Sequence, residues 1–422
     1  MNSREDESAP DPAHVAEGYR RHVNAGLAAL FKFMGFDAVE WRAEGSTIWD
    51  TEGREYLDLL AGFGTFALGH RPPAVVAAVK EQLDRMPLSS RVLFSKPVAD
   101  LAAALAHVLP GDLEKSFFCN SGTEAVEGAL KLARLHTGRP GIVATEGGFH
   151  GKTLGALSVS GREVYRKPFT PLVPGVVHVP FGEADALAAA VGENTAGVIV
   201  EPIQGEGGVI IPPDDYLPAA RAICDKAGAL LIADEVQTGL GRTGAMFACE
   251  HSGVVPDIVC MAKALGGGVM PLGAFSSTPK IWASMEENPL IHSSTLGGNP
   301  LACAAGLAAV AEIQRQELPA RATRLGEHAL GRLRQIQQAQ PKLIAEVRGR
   351  GLLIGLQFTD SDIAGLVIAG LAQRRVIAAY TLNNPEVIRV EPALTIPEAD
   401  LDRGMEALAE AIEQTAEILS QL

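Results

Sequence analysis

Short apolar runs bounded by glycine or proline alternate with segments of helical period through the middle of this 422-residue chain. Four runs have strand length and occupy residues 141–144, 197–200, 229–233 and 257–261. Runs that are apolar throughout are typical of strands buried on both faces, as in a parallel sheet covered by helices. From about Pro73 to Gln316, the pattern therefore predicts an α/β domain with a mainly parallel sheet.

The two flanks of this region have different patterns. Residues 47–60 alternate apolar and polar positions around an acidic-glycine turn, which predicts a hairpin. From about Leu318, a helical stretch, a glycine-rich turn into a strand and a closing helix follow. We therefore expect an N-terminal segment (1–72, disordered to about residue 11), a large domain (73–317) and a smaller C-terminal α+β domain (318–422) packed with the N-terminal segment.

The stretch Gly62-Phe-Gly-Thr-Phe-Ala67 superficially matches a dinucleotide-binding fingerprint. In that motif a helix follows the glycines directly, whereas here Gly69-His-Arg-Pro-Pro73 follows them. The context therefore favours a structural loop over a nucleotide site.

Composition and charge narrow the classes of partner. A formal net charge of −14 argues against nucleic acid and against an anionic membrane surface, because both require a basic footprint. The five cysteines are widely spaced without a Cys-x-x-Cys pair, which favours a reducing compartment and no metal site. The polar, acidic N-terminus does not resemble a signal peptide, and no apolar run approaches the roughly 20 residues of a membrane span. These features predict a cytoplasmic protein.

Asp234 and Lys263 are the strongest candidates for chemistry, because each follows an apolar run at the predicted carboxyl end of a strand. Ligands of open α/β sheets bind at that edge, so the two side chains can converge on one small molecule. Pyridoxal 5′-phosphate (PLP) requires such a pair: a lysine amine that binds its aldehyde covalently and a carboxylate that keeps its pyridine nitrogen protonated. Taken alone, an aspartate after a strand is more commonly a turn residue.

Ser121-Gly-Thr-Glu124 precedes an amphipathic run and has the spacing of a capping box, which predicts a helix N-terminus. Free N–H groups there attract anions, and Gly122 lets an anion approach the backbone closely. Gly122 and Thr123 are therefore candidates for a phosphate cradle. The alternative is an ordinary helix cap.

Four uncommon blocks show a resemblance to a known family: Phe117-Phe-Cys-Asn-Ser-Gly-Thr-Glu124, Phe149-His-Gly-Lys-Thr153, Glu201-Pro-Ile-Gln-Gly-Glu-Gly-Gly208 and Thr295-Leu-Gly-Gly-Asn-Pro300. With them, the chain resembles the class III (ω-type) aminotransferases of PLP fold type I. The similarity runs from about Tyr19 to the C-terminus and is greatest to the putrescine aminotransferases. It implies PLP as cofactor and the α/β fold already expected from the pattern.

The resemblance also implies roles for individual residues around PLP. The block Phe149-His150 is expected to contact the cofactor, with the Phe149 ring stacked on the pyridine and Val236 packed on the opposite face. Gln237 would donate to the ring's 3-oxygen. Thr295 would reach the cofactor phosphate of a neighbouring subunit, which implies a homodimer or a dimer of dimers.

For the substrates, the resemblance implies that Arg389 binds the α-carboxylate of 2-oxoglutarate and glutamate, and that Glu206 pairs with Arg389 when the donor has no carboxylate there. Relatives acting on acidic donors carry arginine where this chain has Lys152, so we expect a terminal diamine such as putrescine or cadaverine as amine donor. Ala393, where the family has proline, leaves the shape of the loop after Arg389 open. Alternatives are an ornithine, acetylornithine or other ω-amino-acid donor, and a non-catalytic binding protein that kept the fold.

Overall fold

The computed structural model describes residues 10–421, and most of the segment predicted to be disordered lies outside them. Within these residues, the chain forms three sheets, of seven, four and four strands. The fifteen strands are β1 Glu40–Glu44, β2 Thr47–Asp50, β3 Glu55–Asp58, β4 Lys115–Cys119, β5 Gly141–Thr145, β6 Val176–Val179, β7 Thr195–Val200, β8 Leu230–Asp234, β9 Ile258–Met261, β10 Gly273–Ser277, β11 Ile344–Arg350, β12 Leu353–Phe358, β13 Val376–Ile377, β14 Ala379–Tyr380 and β15 Val387–Val390.

The central seven-stranded sheet has the order β4-β10-β9-β8-β7-β5-β6. Strands β6, β5, β7, β8 and β9 run parallel, and β10 pairs antiparallel with both β9 and β4. This architecture confirms the predicted α/β class with a mainly parallel sheet. All four predicted strands are present as β5, β7, β8 and β9, whereas β4, β6 and β10 were not predicted.

Helices cover both faces of the central sheet, which explains why β7, β8 and β9 are buried along their whole length. The longest helix next to the candidate site, Gly122–Thr137, buries an apolar stripe against β9 and β10. Apart from the distorted turn Ala61–Gly64, the α-helices within residues 10–421 are Pro12–Gly18, Ala25–Phe33, Pro73–Arg85, Lys96–Val108, Gly122–Thr137, Leu154–Val159, Glu163–Arg166, Ala184–Ala190, Tyr216–Ala227, Pro279–Glu286, Pro300–Arg315, Leu318–Ala339, Ser361–Gln373 and Glu398–Ser420.

The N-terminal sheet has the order β1-β2-β3-β13, so it combines strands from both ends of the chain. Strands β2 and β3 form the predicted hairpin, with Thr47 opposite Leu57. Leu57 also pairs in parallel with Val376 of β13. The N-terminal segment thus adds its strands to a C-terminal element, although the proposed domain boundaries stay a prediction.

The third sheet, β11-β12-β15-β14, is antiparallel and carries Arg389 in β15. The closing helix Glu398–Ser420 packs its apolar stripe on this C-terminal unit and buries Leu401, Met405, Leu408 and Ile412.

The glycine stretch at 62–67 begins as one distorted helical turn with a φ of 58° at Gly62, and the next helix starts only at Pro73. Among the helices described, none combines the length and the apolar character that crossing a membrane requires.

Candidate active site

A cavity of about 530 Å³ opens at the carboxyl ends of the parallel strands. Asp234 is the last residue of β8, and Lys263 follows the end of the neighbouring β9 by two residues. Both line the cavity, as the position of their strands predicts. The other predicted residues that line it are Ser121, Gly122, Thr123, Phe149, His150, Val236 and Gln237.

The Asp234 carboxylate is buried and held at both oxygens. Its Oδ2 lies 2.7 Å from His150 Nδ1, and its Oδ1 accepts a hydrogen bond of 3.1 Å from the Val236 N–H. Burial alone lowers the pKa of His150, but the hydrogen bond and negative charge of Asp234 outweigh burial and raise that pKa above 6.5. His150 therefore orients Asp234 through its Nδ1 atom, a contact that the sequence analysis did not predict.

Lys263 begins a short helical turn, Lys263–Gly266, in the left-handed region with a φ of 49°. A lysine there costs on the order of 1 kcal/mol relative to relaxed backbone. Gly267 and Gly268 continue with positive φ, and a Cβ at Gly268 would lie 2.7 Å from the Phe66 ring. Burial lowers the pKa of Lys263 below 10.5, while the nearby carboxylates of Glu391 and Glu206 partly oppose this effect. A lowered pKa favours the neutral, nucleophilic amine.

The helix Gly122–Thr137 begins at the cavity, with Ser121 as its N-cap. The Ser121 hydroxyl accepts from the Glu124 N–H at 3.4 Å, as capping-box spacing predicts. The reciprocal bond differs from the prediction, because Glu124 Oε2 accepts from the Asn120 N–H, at 2.7 Å, and not from the N–H of Ser121. The backbone N–H groups of the first helical turn at Gly122 and Thr123 therefore face the cavity without an intrahelical acceptor.

Glu201 is a buried acid of this site whose role the sequence analysis did not anticipate. It follows directly after β7, and its carboxylate accepts from the N–H groups of Phe149, at 2.9 Å, and Gly205, at 3.1 Å. Burial raises the pKa of Glu201 from 4.5 to about 7. An acid at the end of an all-apolar strand is the same signal that identified Asp234, and applied to β7 it would have identified Glu201.

Gln237 lines the cavity, and its side-chain amide is oriented from behind. Its Nε2 donates to Glu391 Oε2 at 2.9 Å. A Cβ on Gly205 would lie only 1.7 Å from Gln237 Oε1, so this position must be glycine for Gln237 to keep its rotamer. Glu391 is fully buried, and the sequence analysis assigned it no role.

Arg389 and Glu206 form the ion pair that the family resemblance implied. Arg389 Nη1 donates to Glu206 Oε1 at 2.8 Å, and Arg389 is fully buried. Burial alone raises the pKa of Glu206, but the charges of Arg389 and Lys263 dominate and lower it below 4.5. The Leu382 N–H donates to the second oxygen of Glu206 at 2.8 Å. Ala393, the departure from the family pattern, is buried in the loop after β15.

Two predicted site residues lie away from this cluster. The Lys152 side chain is exposed, with its Nζ 4.6 Å from the centroid of the Tyr165 ring. Thr295 is exposed in a turn before the helix Pro300–Arg315, where Asn299 is the N-cap as predicted. Neither Lys152 nor Thr295 contacts the cavity among the described residues.

The comparisons with known proteins agree with this geometry. A family model described as aminotransferase class-III matches residues 35–412. An ornithine aminotransferase of Toxoplasma gondii is 31% identical, with a TM-score of 0.90 over 97% of this chain and 96% of its own. An (S)-enantioselective omega-transaminase of Thermomicrobium roseum is also 31% identical, with a TM-score of 0.87 over 96% of this chain and 99% of its own. The chain belongs to the class III aminotransferases.

Class III aminotransferases depend on PLP, and an amine transaminase from an uncultivated Pseudomonas species has been solved in its PLP-bound form. That structure is 30% identical, with a TM-score of 0.83 over 90% of this chain and 95% of its own. The donor set of the cavity fits PLP: a buried amine at Lys263, a buried carboxylate at Asp234 and a helix N-terminus at Gly122. These groups suit an aldehyde, a pyridine nitrogen and a phosphate respectively.

Proposed function

We propose that this class III aminotransferase moves an amino group from a terminal diamine, of the putrescine or cadaverine type, to 2-oxoglutarate, giving an aminoaldehyde and glutamate. The main support for the proposal is the ion pair between Glu206 and Arg389, in which Arg389 Nη1 lies 2.8 Å from Glu206 Oε1. One site must accept a donor without an α-carboxylate and then an acceptor that has one. An arginine with an internal, exchangeable carboxylate meets both requirements.

For the chemistry at the cofactor, Lys263 and Asp234 have the central roles in this proposal. When bound, PLP supplies an electron-withdrawing ring that accepts electrons from the substrate carbon. The Lys263 amine would hold the cofactor and then carry a proton at its Nζ, which its lowered pKa permits. Asp234, oriented by His150 at 2.7 Å, would keep the pyridine nitrogen protonated.

Three further groups would position the cofactor. The N–H groups at Gly122 and Thr123, with Ser121, would bind its phosphate at the helix N-terminus. Phe149 and Val236 would pack on the two faces of the ring, since both line the same cavity as Asp234. Gln237 would use the second hydrogen of its amide for the ring's 3-oxygen, because the first is donated to Glu391.

A second copy of the chain completes the site in this proposal, as a homodimer or a dimer of dimers. Thr295 is exposed, next to Leu296, and the nearby segment at Val92, Leu93 and Phe94 is also strongly exposed. Arg91 Nη1 joins the two segments by donating to the Gly297 carbonyl at 2.7 Å. Strongly exposed apolar side chains in two segments joined in this way are typical of a protein interface, and Thr295 would reach the partner's phosphate site from there.

The choice of a diamine depends on Lys152. Its ammonium lies over the Tyr165 ring and is a compact point charge, so it does not reproduce the planar fork that binds a carboxylate in two places. A donor that carries a distal carboxylate would therefore find no guanidinium at this position to bind that carboxylate in two places. An ornithine-type donor is the second candidate, because the Toxoplasma gondii structure with a TM-score of 0.90 is an ornithine aminotransferase.

A series of amine donors tests the substrate assignment. The holoenzyme is supplied with 2-oxoglutarate and with putrescine, cadaverine, ornithine, acetylornithine or 4-aminobutyrate, and the glutamate formed is measured. We expect the highest kcat/KM with a diamine. A clearly higher kcat/KM with one of the carboxylate-bearing donors would overturn the diamine assignment. A visible absorption band that borohydride removes shows that PLP is bound covalently to a lysine. The glutamate formed distinguishes this enzyme from a non-catalytic binding protein.

A further inference from the structure

Arg389 and Glu391 lie two residues apart at the end of β15, and both side chains are fully buried. Alternate residues of an extended chain point to the same face, which brings these two side chains together. Glu391 Oε2 lies 3.4 Å from Arg389 Nε. The roles proposed above use Glu391 only as the hydrogen-bond acceptor that orients Gln237. A buried carboxylate is costly unless it is paired, and Arg389 is one of its partners.

Glu391 also contacts a second buried arginine. Its Oε1 lies 3.8 Å from Arg242 Nε, and Arg242 is 2% exposed. Arg242 Nη1 donates to the carbonyl oxygens of Leu352 and Pro392, which hold the guanidinium in place. Within residues 10–421, Glu391 is the only carboxylate that forms a salt bridge with Arg242.

The ion pairs of this cluster balance in charge, and the neighbouring Lys263 amine, which would bind the cofactor, is not part of them. Two guanidinium groups, Arg242 and Arg389, face two carboxylates, Glu206 and Glu391. An unbalanced charge in such an interior is strongly unfavourable. Since Glu391 offsets Arg242, one further carboxylate is needed among these ion pairs to offset Arg389, and either Glu206 or a substrate can supply it.

We propose that Glu391 is a specificity-determining residue that acts through Arg389. Its carboxylate attracts the Arg389 guanidinium while Glu206 is displaced, and its charge limits the site to one exchangeable carboxylate. The inference rests on the proposed exchange between Glu206 and a substrate carboxylate. It predicts that the enzyme discriminates between the two half-reactions by charge as well as by shape.

A purely structural role for Glu391 makes the opposite prediction. If Glu391 only supported Gln237 and Arg242, its loss would loosen the site and weaken every ligand. Removal of its negative charge beside Arg389 strengthens the binding of an anion in our proposal. The sign of the change in dicarboxylate affinity therefore separates the two roles.

The test is the binding of glutarate, a dicarboxylate with neither an amine nor a keto group, to the Glu391→Gln holoenzyme by calorimetry. Glutamine keeps the shape of the side chain and still accepts from Gln237 Nε2. We expect the Kd of glutarate to fall by roughly three- to tenfold, because glutarate adds the charge of its carboxylates to the site, whereas Glu206 only moves within it. The KM of the amine donor should rise by a similar factor. A Kd that is unchanged or higher overturns the proposal.

Two further variants keep the test decisive. Glu346→Gln removes a carboxylate that pairs with Arg348 in the same sheet but is 58% exposed, so the Kd of glutarate should stay within twofold of wild type. The double variant Arg242→Gln/Glu391→Gln removes one charge of each sign and is expected to fold even if the single variant does not. Its Kd should also stay within twofold of wild type, and a larger change in either direction overturns the proposed balance.

The same measurements separate this proposal from the proposed function. If diamines fail in the donor series while Glu391→Gln still tightens glutarate, only the donor assignment is lost. If the wild-type holoenzyme binds no glutarate, Arg389 takes no substrate carboxylate, and the role proposed for Glu391 is overturned with it.

Discussion

Replacing Arg389 by alanine should separate the two half-reactions. Arg389 Nη1 is held by Glu206 at 2.8 Å, and its Nη2 and Nε are buried without a hydrogen-bond partner among residues 10–421. When Glu206 leaves, Nη1 and Nη2 can both donate to an incoming carboxylate. Hydrogen bonds to charged groups contribute about 1.5–3 kcal/mol each, so two of them are equivalent to roughly 10²- to 10⁴-fold in kcat/KM for 2-oxoglutarate.

The half-reaction with a diamine should lose less than about tenfold, because this donor brings no carboxylate for Arg389 to bind. Single-turnover absorbance of the cofactor, with each substrate mixed separately with the holoenzyme, measures the two half-reactions independently. Equal losses with 2-oxoglutarate and with the diamine would refute the exchange between Glu206 and the substrate.

Three controls accompany this variant. Arg389→Ala leaves Glu206 and Glu391 as buried carboxylates without this partner, which is destabilising, so Tm must be measured alongside activity. Arg389→Lys keeps the charge but not the planar fork, and its loss with 2-oxoglutarate should be intermediate. Arg348→Gln removes another buried arginine of the same sheet, which donates to the Gly208 carbonyl, and should affect both half-reactions equally.

Four further substitutions test the other assignments. Glu206→Ala should impair the half-reaction with diamines more than that with 2-oxoglutarate, measured by the same single turnovers. Lys263→Ala should abolish turnover, and after reduction with borohydride the corresponding peptide should carry no PLP adduct in mass spectrometry. Asp234→Asn should retain PLP binding but lose on the order of 10²-fold or more in kcat, because a neutral amide cannot stabilise a protonated ring nitrogen. Glu201→Gln tests the pH dependence of stability. Burial raises the pKa of Glu201 from 4.5 to about 7, so between these pH values the carboxyl is protonated in the folded state and ionised in the unfolded one. The free energy of unfolding therefore falls as the pH rises through this window, by on the order of 3 kcal/mol at most. The glutamine variant should lack this component in a series of Tm measurements, and an identical pH profile would contradict the assignment.

Local pattern was sufficient for much of the site. Asp234 and Lys263 were recognisable because each follows an all-apolar run, and β8 and β9 are neighbours and parallel. Ser121 was recognisable as an N-cap from a spacing of three residues, and Asn299 from the proline after it. These signals involve residues close in sequence, where backbone geometry and hydrogen bonding depend little on the rest of the fold.

Three strands of the central sheet were less accessible to the same reasoning. Of β4, only residues 117–119 were noted, as part of a family block. Strand β10 reads Gly273-Ala-Phe-Ser-Ser277. Its Ser276 is buried and shares a hydrogen bond of 2.7 Å with Ser116 of β4. A buried serine resembles a loop residue in sequence, and only its cross-strand partner shows why a strand tolerates it.

By itself the sequence determined the α/β class, the family and the positions of the amine and carboxylate at two strand ends. Tertiary structure decided what surrounds them. Glu391 meets Gln237 across 154 positions of the chain, and Arg389 meets Glu206 across 183. Which buried charges become neighbours depends on how the C-terminal sheet packs against the central one, and no local period encodes that distance. A buried carboxylate such as Glu391 is tolerated only because that packing places Arg242 and Arg389 beside it.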